Sequence, residues 1–286
     1  MPGYPTAGSP ATVTLSSAGA EPRVPLRFKV AAGQKEAFLM TMTMGLAMNM
    51  EGMSMPMDMP TMKMSAETTV TNVAPNGDIT YEMAFTKVAV EAAPGADPAM
   101  AQMLQAGAGE LTSIKGLVTM SSRGINKSTT LNLEKITDPA MKQMLTGMSG
   151  QFESLSMPMP EEAVGVGAKW EVRQATNSGG ATIFQKVLCE VVSIDANGAT
   201  VKAQVEQTAP PQSVANPAAP GMTMNIEKVA GKGAGTTTFK FANLSPTSEM
   251  TSSTTLDAAV DMGGQTMKMA VTTNIKMSVA PEKKQP

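Results

Sequence analysis

The chain has 286 residues, 42% of them hydrophobic, which is enough to build a sizeable core. Charged residues make up 16% and the net charge is −2, with no long block of either sign, so nothing suggests a nucleic-acid surface. There is no histidine and one cysteine, Cys189, which removes histidine-based acid–base catalysis, intrachain disulfides and Cys/His metal sites.

Aromatic residues are only 3% of the chain, and 28 methionines supply much of the missing bulk. No apolar run reaches the roughly 18–20 residues of a membrane-spanning helix. Residues 1–24 are small, polar and rich in Pro, Gly, Ser and Thr, and are expected to form a disordered or loosely docked arm. They show no basic segment followed by an apolar one, so no signal peptide is visible in this chain.

Leu26–Ala31 reads as a short strand, followed by a turn at Ala32-Gly33-Gln34. From Phe38 the sequence alternates. Phe38, Met40, Met42, Met44, Leu46, Met48 and Met50 share one face of an extended chain, because successive side chains of a strand point to opposite sides. Gly52, Pro56 and Pro60 make Glu51–Pro60 a predicted loop or irregular edge. Alternation resumes with Met62, Met64, Ala66, Thr68 and Val70 facing inward, and the two strands are expected to form a long hairpin. Pro75-Asn76-Gly77-Asp78 is a turn signal, since Asn-Gly tolerates positive φ. Ile79, Tyr81, Met83 and Phe85 then face inward. The phase slips at Thr86-Lys87, which predicts a bulge.

Two helices follow from one repeated phrase. Asp97-Pro98-Ala99-Met100-Ala101-Gln102-Met103-Leu104 recurs as Asp138-Pro139-Ala140-Met141-Lys142-Gln143-Met144-Leu145, each with Asp as cap and Pro at the first helical position. Met141, Met144, Leu145, Met148, Phe152 and Leu155 make an apolar stripe at helical spacing on the second. Between the helices, 111–121 and 126–133 read as a hairpin turning at Arg123-Gly124.

After the linker Met157-Pro158-Met159-Pro160 the pattern restarts. Gly167-Ala168-Lys169-Trp170 echoes Gly33-Gln34-Lys35-Glu36, and the run Val191–Gly198 echoes Val70–Gly77. Thr208–Gly221 is a predicted proline-rich loop. Residues 222–229, 236–244, 248–262 and 265–279 are the last predicted strands. The final one carries Met267, Met269, Val271, Ile275, Met277 and Val279 on one face. The glycine-rich Gly231-Lys232-Gly233-Ala234-Gly235 lacks the pattern of a phosphate loop and is placed between strands. The expected fold is therefore mostly β with a few helices. Two similar antiparallel halves, as curved sheets or half-barrels or joined in one large continuous sheet, arise from an internal duplication, with short Met-rich helices packed on or capping the sheet. The expected division is a 1–24 arm, a first half at 25–157, a second at 158–280 and a tail at 281–286.

The methionines admit three readings. Flexible, polarizable side chains suit a cavity for a lipid or other apolar ligand, formed by Met40, Met42, Met44, Met62, Met64, Met141, Met144, Met148, Met267 and Met269. Thioether sulfur is also a soft ligand for Cu(I), and Met53, Met55, Met57 and Met59 lie in the proline-broken stretch. The third reading is ordinary core in a structural or interaction protein. No catalytic residue and no cofactor is expected. Trp170 reads as a core anchor and Cys189 as a small buried hydrophobe.

The stretch Pro160–Trp170, PEEAVGVGAKW, resembles the P-x-x-x-V-x-V-G-x-x-W segment of a family of bacterial envelope proteins and lipoproteins without an assigned activity. Leu26–Val30 with Gly33-Gln34, the Asn76-Gly77-Asp78 turn, Gly116 and the Arg123-Gly124 hairpin also fit, so the resemblance covers roughly 25–280. It implies a non-enzymatic protein of the periplasm, cell envelope or secreted space. At fold level the chain is similar to lipoprotein-carrier half-barrels, in which a helical lid covers an apolar cavity.

Overall fold

The computed structural model describes residues 1–50, 53–92, 95, 98–112, 114–134, 157–178, 180–215, 223–262 and 265–282. In chain order the elements are β1 (Thr12–Ser17), β2 (Lys35–Met50), β3 (Met53–Asp58), β4 (Thr61–Val73), β5 (Ile79–Glu91), α1 (Pro98–Leu111), β6 (Lys115–Met120) and β7 (Asn126–Asn132). They continue with β8 (Lys169–Ser178), β9 (Ala181–Ile194), β10 (Gly198–Ala209), β11 (Gln212–Ala215), β12 (Thr223–Lys240), β13 (Thr247–Met262) and β14 (Gln265–Pro281).

Among the described residues all the strands belong to one antiparallel 14-stranded sheet, in the order β1-β8-β9-β10-β12-β13-β14-β2-β4-β5-β6-β7, with β3 paired to β2 and β11 to β12. Two meanders thus meet where the last strand, β14, pairs with β2. This join runs from Phe38 opposite Pro281 to Met50 opposite Met269. The two apolar alternations seen in the sequence therefore coincide rung by rung: Met42 faces Met277, Met44 faces Ile275 and Met48 faces Val271.

The predicted duplication is visible only locally. Gly33 N–H donates to Val70 O at 2.8 Å and Val70 N–H to Gln34 O at 2.9 Å. Gly167 and Val191 repeat this with Val191 and Ala168, at 2.9 and 3.0 Å. Both glycines have positive φ, 84° and 79°, which a residue with a Cβ rarely adopts. The strands around these two motifs are one continuous sheet rather than two separate halves.

Several expectations are corrected. The N-terminal stretch is not an unstructured arm, because β1 pairs with β8 along the edge of the sheet. Leu26–Ala31 forms no ladder. Phe28 N–H bonds Ser122 O and Lys29 N–H bonds Phe241 O, so successive residues serve different elements. The 208–221 loop contains strand β11, paired to β12 from Gln212 opposite Ile226. The glycine run lies inside β12, not between strands. Of the two alternatives for Glu51–Pro60, loop or edge, the edge forms: it contains a strand, β3, paired to β2. The β6–β7 hairpin and the first helix form as expected, while the helix predicted at 139–155 lies outside the described residues. The bulge is present: Ser65 faces Lys87 and Ala66 faces Phe85, leaving Thr86 as the extra residue.

One end of the curled sheet is filled. Leu26, Met159, Val164, Trp170, Phe239 and Phe241 are buried together there. Residues 24 and 164 bridge each other, and Trp170 Nε1–H donates to Pro158 O at 3.0 Å. The Arg27 guanidinium donates to Pro160 O at 2.9 Å, and that of Arg123 to Met159 O at 3.0 Å, so the 158–161 backbone is held from both sides.

The two meanders are also tied by one carboxylate. Glu36 on β2 accepts from Leu244 N–H at 2.9 Å and Ser245 N–H at 2.8 Å in the turn between β12 and β13, and from the Gln34 amide at 2.6 Å. Charge-assisted bonds of this kind contribute more than neutral ones, and the turn's two N–H groups lose both acceptors without it. Glu36→Ala is expected to lower stability by about 2–3 kcal/mol in urea unfolding. Glu21→Ala, which removes an exposed ion pair with Arg23 and an exposed bond from the Arg23 backbone N–H, should change it by less than about 1 kcal/mol.

The glycines give a prediction of opposite signs. A Cβ on Gly235 would sit 2.5 Å from Glu249 O of the neighbouring strand, whereas one on Gly109 in α1 meets nothing within 4 Å. Gly235→Ala should destabilise by about 1–3 kcal/mol through forced strand separation. Gly109→Ala should stabilise by about 1 kcal/mol, because alanine restricts the unfolded chain and favours helix. Thermal melts of the two variants read both signs.

Candidate functional site

Every second residue of β2 from Phe38 to Met50 shares a face, yet these side chains meet three different environments. The first is a packed core. Met40 and Met64, directly opposite each other on β2 and β4, are 8% and 6% exposed. They pack with Ala66, Phe85 and Val88, and α1 covers them with Ala108 and Leu111. Gln105 of α1 accepts a bond from Val90 N–H at 3.1 Å, which fixes the helix on β5. Met62 packs against the same cluster.

The second environment is open. A groove of about 670 Å³ crosses β2, β14, β13 and β12. Its central rung is Met44, Ile275, Ser252 and Gly233, each paired with the next across the sheet. The rungs on either side carry Lys276 and Lys232, and Asp58 and Met59 close the β2 end. Met59 N–H bonds Met44 O at 3.0 Å, so these two methionines are held side by side by the backbone.

The hollow has a cause in sequence. Gly231, Gly233 and Gly235 fall on the same face of β12 as Val229 and Phe239, where alternation would otherwise place three inward side chains. Each lies so close to its neighbours that a Cβ would meet another atom at 2.5–2.9 Å. The run therefore lets β13 approach closely and leaves that part of the face without side-chain bulk. Composition marks these glycines, but only their place inside one continuous strand puts all three on one face.

The third environment is the far tip of the sheet. Met53, Met55 and Met57 are 68%, 48% and 38% exposed on one face of β3. They stand opposite Met50, Met48 and Leu46. Met267 and Met269 enter the same end on β14, facing Val260 and Ala258 of β13. Met42 lies on β2 between core and groove, opposite Met62 and Met277. Met141, Met144 and Met148 lie outside the described residues. The ten methionines expected around one cavity are thus distributed: Met40, Met62 and Met64 under α1, Met44 at the groove, Met267 and Met269 at the tip. Of the four assigned to copper, Met53, Met55 and Met57 share β3, and Met59 stands apart at the groove.

Among the described residues, no group of three or more His, Cys, Asp or Glu side chains could hold a metal ion. Cys189 is 3% exposed and faces Trp170 across β8 and β9. Burial pushes its thiol up to about 12. Burial likewise pushes the Tyr81 phenol up to about 12. Among the described residues no helix is long and apolar enough to cross a membrane. No family model and no curated protein matches the chain.

The buried thiol makes a direct check on the core. In the native protein at pH 8, Cys189 should resist a thiol-specific chromogenic disulfide reagent, because its thiolate is not populated and the sulfur is enclosed. One equivalent should react in denaturant. Rapid native labelling would contradict the packing around Trp170.

Proposed function

We propose that this is a non-enzymatic protein of the bacterial envelope, periplasmic or secreted, that binds a lipid or other apolar ligand in the groove across β2, β14, β13 and β12. The observation carrying this reading is the groove itself. Its volume, about 670 Å³, falls in the range of small-molecule sites, and its central rung is Met44 and Ile275 beside a glycine-cleared stretch of β12. Methionine conforms to varied chain shapes without rigid matching. An eight-carbon alkyl segment laid along this rung, with about half its surface covered, would gain about 3 kcal/mol from burial before the cost of immobilising it. The envelope location is supported by the motif resemblance around Pro160–Trp170.

Native mass spectrometry of the purified chain, with displacement of a fluorescent alkyl probe, tests the proposal. The wild type should retain or take up an apolar ligand. Ile275→Lys should weaken probe binding at least about tenfold, since a charge would be desolvated beneath the chain. The residue is half-buried on an open face, so the urea midpoint should change little. A ligand-free protein that ignores the probe would overturn the reading and leave a structural or interaction role.

A further inference from the structure

We propose that the tip of the β2–β3 hairpin is a separate soft-metal site, in which Met50, Met53 and Met269 offer three thioether sulfurs to a Cu(I) ion. Met269, Met50 and Met53 are consecutive members of one rung: Met269 pairs with Met50 across β14 and β2, and Met50 pairs with Met53 across β2 and β3. Directly opposed residues project to the same face with Cα atoms about 4.5–5.5 Å apart. Met48 and Met55 form the next rung on that face, about 7 Å along the strands.

A methionine side chain is unbranched, with three rotatable bonds, so neighbouring sulfurs on one rung can turn toward a shared point. Cu(I) is a soft ion that accepts uncharged thioethers in low coordination numbers. The rung carries no carboxylate, hydroxyl or amide, so it offers nothing to hard ions such as Mg²⁺ or Ca²⁺. The one cysteine, Cys189, is enclosed in the Trp170 cluster and offers no thiolate to the tip. Met53 is 68% exposed and Met55 48%, which leaves the sulfurs reachable from solvent. This set differs from one drawn along β3 alone, since Met57 faces Leu46 and Met59 belongs to the groove. Pairing across strands, not spacing along one strand, brings the sulfurs together.

The test is an anaerobic titration of the full chain with Cu(I) in competition with a chromophoric chelator. The wild type should withdraw copper, and the triple variant Met50→Leu/Met53→Leu/Met269→Leu should bind about a hundredfold more weakly. Leucine preserves volume and alternation, and circular dichroism checks the fold. Met53→Leu alone, at an exposed position that cannot unfold the sheet, should cost about tenfold. Met57→Leu/Met59→Leu should stay within about twofold of wild type. A wild type that takes no copper overturns the proposal, as does a triple variant as tight as wild type. Alkyl-probe binding in the groove should be unchanged in the triple variant, so this site and the groove stand or fall separately.

Discussion

The pairing of β14 with β2 is the constraint on which the rest of the structure depends. It joins the first long strand to the last and turns two meanders into one sheet. Its register places Met42 beside Met277 and Met44 beside Ile275, so both apolar faces lie on the same side. A slip of one residue would move one of these faces to the opposite side of the sheet. The Glu36 carboxylate guards the arrangement at its other end by holding the β12–β13 turn against β2. Everything proposed for this molecule sits on the rungs that this pairing defines.

Along those rungs a single residue type serves in three settings. Under α1, Met40 and Met64 are ordinary core. Burying each stabilises the fold by about 1.5–3 kcal/mol relative to exposure. Four residues further along β2, Met44 borders open volume because β12 presents glycine there. At the tip, Met50 and Met53 have neither a helix above them nor a further strand outside β3 among the described residues. The change from filled to hollow to exposed follows from what lies opposite each methionine, not from the methionines themselves.

Much of the local structure is legible in the sequence. The period-two alternation gives β2, β4 and β14 with the correct inward faces. Asn76-Gly77 gives the β4–β5 turn, and the phase slip gives the bulge at Thr86. Trp170 and Cys189 are the buried neighbours their types suggest. What is not legible is mostly long-range. The β1 strand looks like a polar arm because it is a short edge with four of its six residues exposed, and only its ladder to β8 makes it a strand. Proline leaves a loop or an irregular edge open at Met53–Asp58, and the edge is what forms: such a position tolerates Pro56 because its missing N–H needs no partner. The glycines of β12 read as a linker when counted and as a cleared floor when paired. Repeated local phrases suggested two halves, but those phrases encode the same turn-to-strand motif twice within one sheet.

The most direct test of the account follows methionine methyl groups by NMR in protein labelled at the methionine methyl carbons, during titration with a straight-chain alkyl ligand. Shifts are expected at Met44 and Met59, which border the groove, with Met40 and Met64 beneath α1 unmoved. Shifts centred on Met40 and Met64, or none at Met44, would contradict it.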